Sequence, residues 1–211
     1  MNDTQYREYG YRDADEGWAH AYLMPKVEEL VEAIRPRRLL EIGCGNGATA
    51  NRLARRFGIE IVAVELSASG IEQARKAMDP AFPVRFELAS AYDDLAGQFG
   101  SFDMVLSLEV IEHLYSPRLF VDRARDALVD RGSLVLSTPF HGYWKNLALA
   151  LAGKLDAHFT ALWDGGHIKF WSERTLRALL EERGFVVDRF ALCGRIAPLA
   201  KSMVVLARNA R

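Results

Sequence analysis

Hydrophobic positions along the chain alternate between short unbroken runs and stretches of helical spacing. Residues 38–42, 60–65 and 102–108 are runs dominated by Leu, Ile, Val and Phe. Such runs predict strands buried on both faces. Residues 84–88 alternate and predict a third strand in chain order; residues 133–137 predict a fifth, entered by a turn at Arg131-Gly132. Between them lie predicted helices at 48–57, at 68–78 behind a Ser67 cap, and from Ser116-Pro117 through Leu128. Upstream, Trp18, Tyr22, Val27, Leu30, Val31 and Ile34 recur at helical spacing. They predict a helix over 16–34 that Pro25 kinks or divides. Downstream of Pro139 the pattern stops, and 140–170 becomes an insert rich in aromatic and polar residues, with Leu147, Leu151 and Leu155 marking a short helix. Ser172 then caps a helix carrying Leu176, Leu179 and Leu180, which Gly184 ends. Residues 185–192 and 203–207 predict two closing strands, joined through 194–198.

Strands alternating with helices of this length predict an α/β fold, a parallel sheet wound on both faces. Its 211 residues make one domain: an arm and helix over 1–35, the core, and the 140–170 insert as a small cap. Ligands in such sheets sit beyond the carboxyl ends of the strands. Gly43, Glu65, Ser90, Glu109 and Thr138 all fall at such ends. The centre of this pattern is L-L-E-I-G-C-G-N-G-A-T, residues 39–49. Gly43, Gly45 and Gly47 let the backbone turn sharply and approach a ligand, and the following helix points its N-terminus there. Glu65, at the tip of the second strand, is placed to hold ribose hydroxyls. Gly47 lies two residues after Gly45, where a dinucleotide fingerprint needs three.

A net charge of −1 gives no electrostatic case for binding long nucleic acid. The two cysteines, Cys44 and Cys193, are far apart, which suits reduced thiols in a cytoplasmic protein. The N-terminus has no apolar signal region, and the run over 147–152 is too short to span a bilayer.

E-I-G-C-G-N-G resembles the first motif of the class I S-adenosyl-L-methionine (SAM)-dependent methyltransferases. The resemblance implies a Rossmann-like, doubly wound seven-stranded sheet, mostly parallel, with an antiparallel last strand. It implies SAM as cofactor, held by Glu41, Gly43, Gly45, Gly47, Glu65, Leu66, Ser90, Ala91, Leu108 and Glu109. Ser90 stands where Asp is common in that family.

Glu109, Glu112 and His113 have the spacing E-x-x-E-H. On a helical turn they would share a face. The cluster has three readings: oxygen and imidazole ligands for Mg²⁺ or Mn²⁺, Glu109 only marking the strand end near the cofactor, or His113 acting as a general base without metal. E-V-I-E-H-L resembles the corresponding motif of the ubiquinone-biosynthesis O-methyltransferases and of the small-RNA terminal 2′-O-methyltransferases. In both it is associated with a divalent cation near the acceptor hydroxyls. In the RNA enzymes a later histidine joins it, and His167 in G-H-I-K-F would do so here. The expected metal ligands are therefore Glu109, Glu112, His113 and His167. The expected catalytic residues are Glu112, His113 and His141. Trp144, Trp163 and Trp171 are candidate walls for the acceptor, and His20 and Tyr22 for the cofactor's methionine end. The expected activity is methyl transfer to a hydroxyl of a small molecule. The alternatives are an RNA terminal 2′-O-methyltransferase and a metal-independent N- or C-methyltransferase.

Overall fold

The computed structural model describes residues 10, 11, 13, 17, 19–159, 161–163, 165–197 and 199–211. Tyr6, Tyr9, Glu16 and Trp18 lie outside the described residues, so the predicted start of the first helix is not among them. The helix α1 runs His20–Ile34, with Pro25 inside it and no break. It ends as Arg35 turns left-handed (φ 53°).

The core follows as β1 (Arg38–Ile42), α2 (Ala48–Phe57), β2 (Glu60–Glu65), α3 (Ala68–Lys76), β3 (Val84–Leu88), a short α4 (Leu95–Phe99), and β4 (Phe102–Leu108). A 3₁₀ turn at Ile111–His113 leads to α5 (Pro117–Asp126) and β5 (Leu128–Pro139). The insert folds as α6 (Tyr143–Leu151) and α7 (Leu155–Phe159). Helix α8 (Glu173–Glu182), β6 (Phe185–Cys193) and β7 (Ser202–Asn209) close the chain. Ser172 caps α8 through a reciprocal pair with Thr175.

Seven strands form one sheet in the order β3-β2-β1-β4-β5-β7-β6. The first five are parallel; β7 is antiparallel to both β5 and β6. The chain reverses direction across the sheet between β1 and β4, which opens a crevice at their carboxyl ends. The predicted turn at Arg131-Gly132 lies inside β5. Phe102 pairs with Leu128 and Met104 with Ser133, so the intervening residues of β5 bulge outward. Arg131 takes φ 58° there.

Two apolar clusters pack the opposite faces of the sheet. One joins Leu40, Val105, Phe120, Leu136 and Leu180; the other joins Leu30, Leu39, Leu53, Ile61 and Met104. The buried Glu28 fastens α1 to α2, accepting from Arg52 at 2.7 Å and from Arg56 at 2.8 Å. No helix among the described residues is long and apolar enough to cross a membrane.

Candidate active site

The crevice is built first by the turn between β1 and α2. Gly43 and Cys44 donate backbone hydrogen bonds to Val64 O, so β1 and β2 stay paired to their ends. Gly47 has φ 77°, and a Cβ on it would lie 2.6 Å from the Ala74 methyl and 2.7 Å from the Phe86 ring. Only glycine fits both that conformation and that space. Glu65 faces the turn from β2, one oxygen accepting from Gly45 N at 3.0 Å and the other from Ser67 N at 2.9 Å. The carboxylate is thereby fixed at the crevice mouth, with lone pairs left over for donors from a ligand. Tyr11 lies over Gly45 from outside: its hydroxyl would stand 2.8 Å from a Cβ there. Leu66 is largely exposed, 58 %, beside this opening.

Glu41 is different. It is 2 % exposed. It accepts from the Ala50 backbone N–H and the Thr49 hydroxyl, while its Oε2 has no partner. Burial, and next the charge of Glu65, push its pKa up to about 8. Thr49 in turn contacts His20 Nε2 at 2.7 Å, so His20 is tied to the β1–α2 turn.

Ser90 and Ala91 lie just past β3, where Ser90 O accepts from Asp93 N and Ser90 Oγ accepts from Tyr92 N at 3.2 Å. The hydroxyl thus serves its own turn. Leu108 ends β4 against the apolar cluster under α1.

Beyond β4 the structure departs from the expected helical turn. The 3₁₀ turn begins only at Ile111, and Glu109 has φ 54°. Its carboxylate is therefore not carried on the face of Glu112 and His113. Instead Ser137 Oγ donates to one oxygen at 2.7 Å and Ser202 Oγ to the other at 3.1 Å. Tyr22 OH reaches the same Ser202 Oγ at 3.1 Å. Glu109, expected as a metal ligand, belongs to this serine pair in the structure. Neither serine stood out in the sequence: each is one residue within a strand, and only the left-handed Glu109 reveals its partners.

Glu112, His113 and His167 do come together. Their ligand atoms lie within 4.8 Å of one another, and His167 Nε2 is 4.0 Å from Glu112 Oε1. The main chain arranges this: Ile168 N and Lys169 N both donate to Glu112 O, at 2.9 and 3.0 Å. Glu112 is 1 % exposed. Thr138 donates to its Oε2 at 3.0 Å, whereas Oε1 has no partner. Burial and the nearby Glu109 charge hold its pKa well above the usual range. His113 Nδ1 lies 3.3 Å from Gly166 O, which leaves Nε2 for a ligand. Burial lowers the pKa of His113, and of His167 to about 4. Trp163 stands edge-on to His113 at 5.8 Å. Trp144 is exposed, edge to face with Tyr143, and Trp171 packs against the core.

His141 lies just past β5, at the start of the insert. It is 9 % exposed, and its Nδ1 has no partner. Burial, then the Lys145 charge, lowers its pKa to about 4.

A doubly wound sheet of this strand order, with a glycine turn after β1 and a carboxylate after β2, defines the class I SAM-dependent methyltransferases. The chain belongs to the methyltransferase domain family, whose model matches residues 16–189. A ubiquinone biosynthesis O-methyltransferase of Caulobacter sp. (strain K31) is 34 % identical over 127 residues, covering 60 % of this chain and 48 % of that protein. One from Azorhizobium caulinodans is 33 % identical over 159 residues, covering 73 % and 60 %. The chain thus spans about half the length of the curated relatives it matches. Among solved structures, magnesium protoporphyrin IX methyltransferase from Synechocystis PCC 6803, with bound S-adenosylhomocysteine, aligns with a TM-score of 0.68 at 17 % identity, over 89 % of this chain and 82 % of that one. The methyltransferase domain of bacterial CtHen1 aligns with a TM-score of 0.67 at 19 % identity, over 88 % and 97 %. At these identities the structures share the fold.

Proposed function

We propose that the chain transfers a methyl group from SAM to a hydroxyl of a small molecule carrying adjacent oxygens, such as a catechol or a vicinal diol. Glu112, His113 and His167 would hold a divalent cation there. The observation that carries this reading is the buried, unpartnered Glu112 Oε1 flanked by two imidazoles within 4.8 Å. One carboxylate and two histidines suit a first-row divalent ion better than Mg²⁺, which prefers oxygen ligands. The O-methyltransferase names of the relatives agree with it.

The glycine turn and Glu65 fit SAM: a Cβ would fill the cradle at Gly47, and the Glu65 carboxylate is already fixed at its mouth. Gly43, Gly45, Gly47 and Glu65 would bind it, with Leu66, Ser90, Ala91 and Leu108 around the adenosine. SAM supplies an electrophilic methyl on a sulfonium, and the chain's task is alignment and proton removal. His141 can accept a hydrogen bond at Nδ1, and its low pKa keeps it neutral at pH 7. Full proton transfer to an imidazole of about 4 from a phenol of about 10 is uphill by roughly 8 kcal/mol. His141 therefore orients the hydroxyl, and a cation at Glu112 would supply the positive charge that lowers the hydroxyl's pKa.

Calorimetric titration of Mn²⁺ into the S-adenosylhomocysteine complex tests the reading. We expect saturable binding in the wild type and its loss in Glu112→Gln. Equal binding by the two proteins, or none by the wild type, would overturn the metal assignment. Turnover of a catechol that EDTA leaves unchanged would do the same.

A further inference from the structure

The segment ahead of α1 supplies a side chain that the glycine turn lacks. Gly45 has φ 54°, and a Cβ on it would stand 2.8 Å from the Tyr11 hydroxyl and 3.1 Å from two carbons of its ring. A Cβ on Gly70, in the first turn of α3, would stand 3.0 Å from the same ring and 2.7 Å from Gly45 O. Gly70 sits within a helix, so a side chain is barred there by space rather than by backbone conformation. The Tyr11 ring therefore lies across two positions that have no side chain, and it fills the room theirs would need.

The segment is tied down around this contact. Tyr11 N donates to Ser69 Oγ at 3.2 Å, and Asn46 Nδ2 donates to Asp13 O at 3.0 Å. His20, at the start of α1, meets Thr49 at 2.7 Å. Residues 11, 13 and 20 thus follow the turn along positions 45, 46 and 49. Gly45 is also the residue whose amide donates to the Glu65 carboxylate at 3.0 Å. The tyrosine and the carboxylate assigned to the ribose meet at one glycine. An aromatic ring there offers a ligand apolar area and, at its rim, a hydroxyl.

We propose that Tyr11 is a cofactor-binding residue: its ring covers SAM at Gly45 and forms the outer wall of the cofactor site. This rests on the assignment of the glycine turn and Glu65 to SAM above. It adds to that cradle a side chain from outside the sheet, which no glycine motif encodes.

The test is binding of S-adenosylhomocysteine to the immobilised full chain by surface plasmon resonance, which reads both rates. In Tyr11→Ala the affinity should fall about tenfold, most of it as faster dissociation. Tyr11→Phe keeps the ring and should stay within about threefold of the wild type. The tie to Ser69 runs through the main chain and survives both substitutions. Gly10→Ala, at an exposed neighbour with nothing within 4 Å of the added Cβ, should leave both rates unchanged. An affinity that rises in Tyr11→Ala would mean that the ring stands in the cofactor's own place, and would overturn the inference. So would an unchanged dissociation rate, or an equal loss in Tyr11→Ala and Gly10→Ala, which would trace the effect to the main chain and not to the ring. Glu65→Ala separates this inference from the reading beneath it. Normal binding by Glu65→Ala would overturn the cradle assignment and the role of Tyr11 with it. Weak binding by Glu65→Ala beside normal binding by Tyr11→Ala would overturn the role of Tyr11 alone.

Discussion

Replacing Glu41 with Gln should remove this carboxyl's own contribution to the fall of stability with pH across the neutral range. The carboxyl has a folded pKa of about 8 against an ordinary value of 4.5. Because the folded value is raised, the folded state keeps a proton that the unfolded chain releases. Stability is then greatest below about pH 4.5 and falls as pH rises toward about 8, by roughly 1.4 kcal/mol per pH unit. At pH 7 the deficit is about 3 kcal/mol. Between about pH 5.5 and pH 8 the wild type should lose about 3 kcal/mol through this group alone. Glutamine has the same shape and no charge. It puts an amide nitrogen or oxygen where Oε2 now has no partner, at a cost of about 1–2 kcal/mol. The variant should therefore equal or exceed the wild type at pH 7 and fall below it in mild acid. Urea unfolding of both proteins at several pH values reads this directly, provided the denaturant slopes agree. Parallel stability–pH curves would refute the reasoning, for they would mean that Glu41 ionises as easily folded as unfolded.

Three further outcomes follow from the same geometry. Gly47→Ala should destabilise the fold by about 2–4 kcal/mol, from left-handed strain and collision with Ala74 and Phe86; it should also weaken S-adenosylhomocysteine binding at least about tenfold by calorimetry. Glu28→Ala should cost about 1–2 kcal/mol in thermal or urea unfolding, modest because both arginine partners are part-exposed. SAM carries a sulfonium charge that S-adenosylhomocysteine lacks, and a cation beside the crevice favours ionised Glu41. The affinity ratio of SAM to S-adenosylhomocysteine should therefore rise with pH up to about pH 8 in the wild type and stay flat in Glu41→Gln.

The sheet was legible in the sequence because its central strands are covered on both faces. β1 and β4 have to be apolar almost throughout, and an unbroken run of Leu, Ile and Val says so without knowledge of the neighbours. The caps at Ser67 and Ser172 were legible for a related reason: each is a contact with an amide three residues away. β5 was misread at its start because Arg131-Gly132 carries turn chemistry. Whether such a pair ends a strand or bulges within it depends on the partner strand, here the step from Phe102 to Met104. The spacing of Leu147, Leu151 and Leu155 reads as one short helix, whereas the structure has two, with Leu147 and Leu151 in α6 and Leu155 in α7; neither helix has a buried residue to mark its own span.

The candidate site divides along the same line. Glu112 and His113 are neighbours in sequence, and His167 was found by its G-H-I-K-F setting. Two backbone hydrogen bonds to Glu112 O then bring that setting home. Glu109 was placed with them because i, i+3 spacing assumes a helix. The chain instead takes a left-handed step at Glu109, a conformation worth roughly 1–2 kcal/mol of strain for a residue other than glycine. Something must hold it there, and the structure shows what. Its amide donates to Ser137 Oγ at 3.0 Å and to Ser137 O at 3.2 Å. Its carboxyl takes Ser137 and Ser202, from strands that pair in the sheet but lie 65 positions apart in the chain, by their numbering. No local pattern encodes such a partner. The left-handed step leaves the half-buried Glu109 anchored to serines and the buried Glu112 with an oxygen open toward two imidazoles. A regular helical turn would have put both carboxyls on one face; the left-handed step instead carries the Glu109 carboxyl to Ser137 and Ser202, between β4, β5 and β7.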